Sequence, residues 1–245
     1  MIQMVSTELP HLLFRWIHVL AAVMWIGQLW SLALVLRLMS GRALDPSLAA
    51  LALRAHTYHR WSATLTWATG FPLLGIVYYG GGALTSVDQS FGRASIAGLA
   101  ALFGAFPVYD AVWRLLRRHG LAAVFVSLAL FTTAAAGLHR VMTGRAVFIH
   151  LVAMLGTIML ANVWQRIWPV ERRRLTVTTP REPSSTELVD VAALRLRHNA
   201  ALAVAVILFM VSNHFPLVYG QSLGWLLAPG IVVLGWIVTR RNEAV

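Results

Sequence analysis

The sequence contains no cysteine and no lysine, and charged residues make up only 12% of its 245 residues. Without cysteine, the chain cannot form disulfides, thiolate metal sites or iron–sulfur clusters, and it cannot attach haem through a C-x-x-C-H motif. Any metal or cofactor must therefore be held by histidine, methionine or oxygen ligands.

The residues that are present are strongly apolar. Hydrophobic residues make up 58% of the chain, ten residues are Trp, and the mean hydropathy of +0.70 is far above that of a soluble domain. The formal net charge of +11 comes from arginines in short segments between apolar runs. Such arginines are topology signals, so we expect a lipid bilayer as the partner and no nucleic acid. The fold predicted is all-α, a polytopic membrane helix bundle.

About seven apolar segments are long enough to cross a bilayer as helices, within a single membrane domain over residues 1–245. The predicted spans are 11–38, 61–79, 94–116, 121–141, 146–168, 198–217 and 223–239. The polar interval 170–197 is expected to be a flexible cytoplasmic loop. The N-terminus lacks the features of a removable signal peptide, so the first apolar run is expected to stay as a helix.

The arginines also predict the orientation of the spans. Sixteen of the 20 basic residues lie in the last turns of the first, third and fifth spans, in the segments that follow these spans, or at the C-terminus. The positive-inside rule then places the N-terminus in the periplasm and the C-terminus in the cytoplasm of a bacterial inner membrane. In this orientation four histidines lie at a similar depth in the outer leaflet, namely His18, His139, His150 and His214.

The stretch 145–169 is apolar enough to span the bilayer, yet it contains several polar side chains. At about 100° per residue one face of this helix carries His150, Met154, Thr157, Ala161 and Gln165. A later apolar run opens with His198 and Asn199 and closes with Ser212, Asn213 and His214. We expect the functional site on these two helices.

Ionisable side chains are costly inside a membrane, so a set of histidines at one depth predicts a functional site. A single buried histidine is more often a hydrogen-bonded core residue. The candidate sites are a haem held by two imidazoles, a copper or iron site, and a proton path. A flat apolar macrocycle suits inward histidines with Trp and Met around them best, which favours haem b. The predicted iron ligands are drawn from His18, His150, His214 and His198, and the predicted cofactor contacts are Trp25, Met154 and Asn213.

A second haem near His56, His59 and His198 is an open alternative to a purely interfacial role for these histidines. Soluble hydrolase and nucleotide-binding motifs are absent, and no catalytic residue is assigned.

Four runs carry a resemblance to a known family: RWIHVLAAVMWIGQLW, RWSATLTWATGFPLLGIVYY, GRAVFIHLVAMLGTIMLANVWQRIWP, and RHNA followed by LFMVSNHFP. Together they resemble, over nearly the whole chain, the membrane domain of the bacterial cytochrome c-linked urate oxidase (urate hydroxylase) family. The resemblance implies oxidation of urate to 5-hydroxyisourate with electrons leaving through haem. In that family a cytochrome c domain follows the membrane domain. Because this sequence ends after its last span, the electron acceptor is expected to be a separate cytochrome c.

Two other functions stay open. The chain is also compatible with a non-catalytic accessory or electron-transfer subunit of a larger membrane complex, which would use its Ala- and Gly-rich helix faces as contacts. A copper or small-solute transporter is the third alternative. The first helix, WIHVLAAVMWIG, is similar to the opening helix of the haem-dependent protoporphyrinogen oxidases.

Overall fold

A computed structural model describes residues 2–39, 46–176, 186–221 and 224–241, and within these ranges the chain is all-α. The α-helices are α1 (Ile2–Met39), α2 (Pro46–Leu74), α3 (Phe91–Leu115), α4 (Gly120–His139), α5 (Gly144–Asn162), α6 (Trp168–Thr176), α7 (Thr186–Ser212), α8 (Pro216–Tyr219) and α9 (Leu227–Arg241). Two π-helical turns, Gly75–Gly80 and Val163–Ile167, follow α2 and α5, and a 3₁₀ turn, Gly224–Leu226, precedes α9.

Five of the described helical segments are long and apolar enough to cross a membrane: Glu8–Leu32, Phe91–Leu115, Gly120–His139, Gly144–Thr176 and Glu187–Ser212. The segment Gly224–Thr239 is apolar but shorter. These segments confirm the predicted all-α bundle. The helix α2, which contains most of the second predicted span, is not in this set, because its Ser, Thr and Trp residues lower its hydropathy.

The polar interval 170–197 differs from its predicted form. Residues 170–176 belong to α6 and residues 186–197 open α7, while residues 177–185 lie outside the described residues. Arg, Leu, Ala and Glu are strong helix formers, so a polar composition here does not imply an irregular chain. The pair Glu171 and Arg174, three residues apart on α6, adds a contact of 2.8 Å along the helix.

Two helix starts depend on proline. The helix α2 begins at Pro46, as its sequence predicts, because proline at the first helical position has no N–H that needs a partner. The first predicted span begins at residue 11, directly after Pro10, but α1 begins at Ile2 and Pro10 lies inside it.

The chain divides into two compact units, residues 1–70 with 159–200 and residues 71–158 with 201–245. In the core of the first unit, Leu29, Ala63 and Met159 are fully buried. In the second unit, Phe209 packs its ring edge-on against Phe148, with centroids 5.4 Å apart. The single membrane domain stays a prediction.

Candidate functional site

His18 lies half-buried on α1 in the first unit, against α2. Its Nδ1 is 2.8 Å from the carbonyl oxygen of Thr66 and 3.3 Å from Oγ1 of Thr69. Since a carbonyl oxygen only accepts, Nδ1 carries the ring hydrogen and Nε2 carries the lone pair. This is the tautomer in which histidine ligates a metal through Nε2, with the ring orientation fixed by the hydrogen bond at Nδ1.

The close approach of α2 to the His18 ring depends on a glycine. A Cβ atom on Gly70 would lie 2.8 Å from Cε1 and 3.1 Å from Nδ1 of His18. Any larger residue at this position would push the ring away from Thr66. Gly70 is therefore part of the site, although it carries no functional group.

Two further histidines, His56 and His59, are buried on α2 in the same unit. The His59 ring lies beside the main-chain carbonyl of Trp25 without forming a hydrogen bond to it. Burial lowers the pKa of His59 to about 4. Burial, with the charges of His59 and Arg174, lowers the pKa of His56 to about 3. Both imidazoles are therefore neutral at pH 7.

Glu171 on α6 is a buried carboxylate that faces His56. Its Oε2 is 3.8 Å from Nε2 of His56, which is too long for a hydrogen bond. The same oxygen accepts hydrogen bonds from Arg174, with Nε at 3.0 Å and the second guanidinium contact at 2.8 Å. The carboxylate charge is thus balanced by Arg174.

Arg60 is surrounded by indole rings. Its guanidinium carbon is 4.1 Å from the ring centroid of Trp168, 4.7 Å from that of Trp164 and 5.2 Å from that of Trp61. The cation is attracted to the negative faces of these rings. These contacts fix the position of the Arg60 guanidinium among the three indoles. Arg60 follows His59 in the sequence.

The helices α5 and α7 are joined in the first unit by two fully buried asparagines. Asn162 donates through Nδ2 to Oδ1 of Asn199 at 2.9 Å, and Asn199 donates to the carbonyl oxygen of Met159 at 2.9 Å. These amides therefore contribute to helix packing.

His150 is buried on α5 in the second unit. Its Nδ1 donates to the carbonyl oxygen of Ala146 at 2.7 Å, which leaves Nε2 as the acceptor for the Tyr79 hydroxyl at 3.0 Å. A Cβ atom on Gly98 would lie 2.7 Å from the Tyr79 hydroxyl and 2.9 Å from Cδ2 of His150. Gly98 thus provides the space that this tyrosine–histidine pair occupies.

The neighbouring Tyr78 also contacts His150, because the π-helical turn presents two consecutive tyrosines to the same ring. The Tyr78 and His150 ring centroids are 6.1 Å apart in an edge-on arrangement. The Tyr78 hydroxyl donates to Oδ1 of Asn213 at 3.4 Å. Met154, also predicted as a cofactor contact, is buried one helical turn after His150.

The remaining predicted ligands lie in different surroundings. His198 is half-buried on α7 in the first unit, next to Asn199, whereas His214 is exposed in the turn after α7 in the second unit. The pairing of imidazoles on one iron stays a prediction. Within the described residues, no group of three or more His, Asp or Glu side chains converges as a metal site. A haem needs only two imidazoles from the protein.

Several residues of these sites were not recognised from the sequence. Tyr79, Gly70 and Gly98 have no polar pattern that would mark them. The available signal was a glycine inside an apolar helix, which often indicates a close approach of another group.

The comparisons with known proteins give the family. The family model described as urate oxidase N-terminal matches residues 48–242. This chain belongs to the urate oxidase N-terminal family. The match confirms the resemblance found in the sequence and makes the chain a urate-oxidase-like protein, with apolar helices that are compatible with multiple membrane spans. No curated protein and no solved structure matches the chain.

Proposed function

We propose that this protein is a haem b-binding membrane oxidoreductase that oxidises urate to 5-hydroxyisourate and passes the electrons to a separate cytochrome c. The single observation that carries this function, beside the family, is the His18 imidazole. Its Nδ1 is fixed by the Thr66 carbonyl, so its Nε2 is prepared to bind iron. We place the protein in a bacterial inner membrane with its N-terminus in the periplasm, as the arginine distribution favours.

The residues present fit a haem. His18 has the required tautomer, and Gly70 allows α2 to hold the ring in one orientation. His198 on α7 is the candidate for the second ligand in the same unit as His18. His150 and His214 belong to the second unit and stay ligand candidates on the sequence alone. Trp25, predicted from the sequence as a cofactor contact, is buried on α1 two helical turns after His18.

When bound, haem supplies one-electron redox chemistry that the amino acids of this chain lack. The protein contributes the rest. Thr66 sets which nitrogen of His18 is free, and the apolar helices exclude water from the site. The Tyr79–His150 pair is placed to hold a proton on a buried oxygen or nitrogen atom.

The test is a pyridine haemochrome assay on protein purified from haem-replete cells. We expect the haem content of His18→Ala to be about tenfold lower than that of the wild type, or lower still, because an iron ligand is removed. His119→Ala is the matched control, since His119 is exposed in the loop before α4. Wild-type protein should also reduce added cytochrome c when urate is supplied. A colourless wild-type preparation, or equal haem content in His18→Ala and His119→Ala, would contradict the proposal.

A further inference from the structure

The geometry points to a binding site, formed by Trp25, His56 and His59, for a planar ring that carries N–H and C=O groups side by side, as the edge of an oxidised purine does. We refer to these three residues as the buried histidine cluster. The inference rests on the proposed function and gives its substrate a place in the first unit.

The cluster stands out because four of its ring nitrogens have no hydrogen-bond partner among the described residues. In the described part of the chain, no hydrogen bond reaches Nε1 of Trp25, Nε2 of His56 or either ring nitrogen of His59. These side chains are 3%, 2% and 0% exposed. Buried polar atoms without partners are rare in native proteins and each is costly, so a cluster of them indicates a missing ligand.

The three residues lie in one neighbourhood. The His59 ring is beside the main chain of Trp25, and His56 lies three residues before His59 on the same helix, close enough for a proton on one ring to disfavour a proton on the other. Trp25 comes from α1, whereas both histidines come from α2. A ligand between these helices would therefore contact both of them.

The unpartnered atoms define what the ligand must offer. The indole N–H of Trp25 only donates, whereas a neutral imidazole has one donor and one acceptor. The low pKa values of His56 and His59 keep both rings neutral at pH 7. The ligand must therefore present acceptors and at least one donor. A quinone presents only acceptors and a metal ion binds only lone pairs, but a ring with adjacent N–H and C=O groups satisfies both requirements.

Two charged side chains lie beside the cluster. Arg174 acts on His56, but Glu171 balances its charge and itself faces His56 at 3.8 Å. The site therefore selects its ligand by hydrogen bonds and not by net charge, and urate has the N–H and C=O edge that the site requires.

The experiment measures binding of radiolabelled urate to the full chain in nanodiscs by equilibrium dialysis. The protein is kept reduced and anaerobic, so that urate is bound but not consumed. We expect His59→Leu to weaken binding at least tenfold and Trp25→Phe, which removes only the indole N–H, to weaken it severalfold. Tyr58→Phe is the matched control, because Tyr58 is adjacent in sequence and 61% exposed. Xanthine should compete with urate, whereas decylubiquinone should not.

Thermal unfolding of the same variants separates a ligand site from a structural role. Without ligand, His59→Leu should melt at or above the wild-type temperature, because it removes two buried atoms that have no partner. Urate should raise the melting temperature of wild type and Tyr58→Phe but not of His59→Leu. If His59→Leu does not fold, Trp25→Phe decides the matter.

Equal urate binding in wild type, His59→Leu and Trp25→Phe would overturn the inference and mean that water fills the cluster. Competition by decylubiquinone as strong as that by xanthine would also overturn it. Haem content and cytochrome c reduction, measured on the same preparations, keep the two proposals distinct. Normal haem and urate-driven reduction in His59→Leu would leave the proposed function standing and remove this site. If the protein is haem-free but binds urate in a way that depends on His59, this site stands and the proposed function is contradicted.

Discussion

Gly98 is the position at which one added methyl group should disrupt the contact between Tyr79 and His150. A Cβ atom there would lie 2.7 Å from the Tyr79 hydroxyl, 2.8 Å from Cε of Met142 and 2.9 Å from Cδ2 of His150. All three distances are shorter than real Cβ contacts, so the side chains must move. Because His150 is held by Ala146 at 2.7 Å, we expect the Tyr79 hydroxyl to move and its hydrogen bond to break.

The size of the effect follows from three contributions. Overpacking a buried site costs about 1–3 kcal/mol, and losing a buried hydrogen bond costs about 1 kcal/mol. Replacing glycine by alanine inside a helix returns about 0.5–1 kcal/mol. We therefore expect Gly98→Ala to lower the free energy of unfolding by about 1–3 kcal/mol.

Gly104 provides the matched control on the same helix, α3. A Cβ atom on Gly104 meets nothing within 4 Å, so Gly104→Ala should be neutral or stabilising by about 0.5–1 kcal/mol. The assay is denaturant unfolding of the purified protein in detergent micelles. Adding Tyr79→Phe to Gly98→Ala removes the atom with the closest overlap and should recover part of the loss. The reasoning is refuted if Gly98→Ala and Gly104→Ala have the same stability, or if Tyr79→Phe gives no recovery.

Two further predictions concern the first unit. His56 and His59 have pKa values of about 3 and about 4 when folded, below the usual histidine pKa of 6.5, so protonation favours the unfolded chain. The melting temperature of the wild type should be highest above pH 6.5 and should decline as the pH falls from 6.5 towards 4. The double variant His56→Gln/His59→Gln should show a smaller decline, and an equally steep decline in both proteins would contradict this. Asn199→Ala should lower the free energy of unfolding by about 2–4 kcal/mol in denaturant unfolding, because Asn199 makes two buried hydrogen bonds, one with Asn162 and one with the carbonyl oxygen of Met159; a loss of no more than about 0.5 kcal/mol would contradict this.

The sequence predicted those features that depend on local composition. Apolar runs indicated the helices, and the proline at position 46 marked the start of α2. The polar composition of the interval 170–197 predicts a flexible loop, but helix propensity and the pair Glu171 and Arg174 favour a helix, and its described residues are helical.

The sites depended on contacts that are distant in the sequence, and these could not be read from it. His18 was recognised as a ligand candidate from its residue type, but its tautomer is set by Thr66, 48 residues away. His150 was recognised in the same way, yet its hydrogen bond to Tyr79 depends on a π-helical turn and on Gly98. A depth in the membrane can be inferred from position along a helix, but the neighbour at that depth cannot.

The hydrogen bond from His150 to Ala146 limits how protons can travel in the second unit. A main-chain carbonyl oxygen accepts a hydrogen bond but does not take up the proton, so the Nδ1 side of the ring is closed to proton transfer. A proton that Tyr79 gives to Nε2 must return by the route it came. The imidazole is therefore a reversible store for one proton, not a link in a chain across the membrane. Any turnover that uses it must end with the phenol restored.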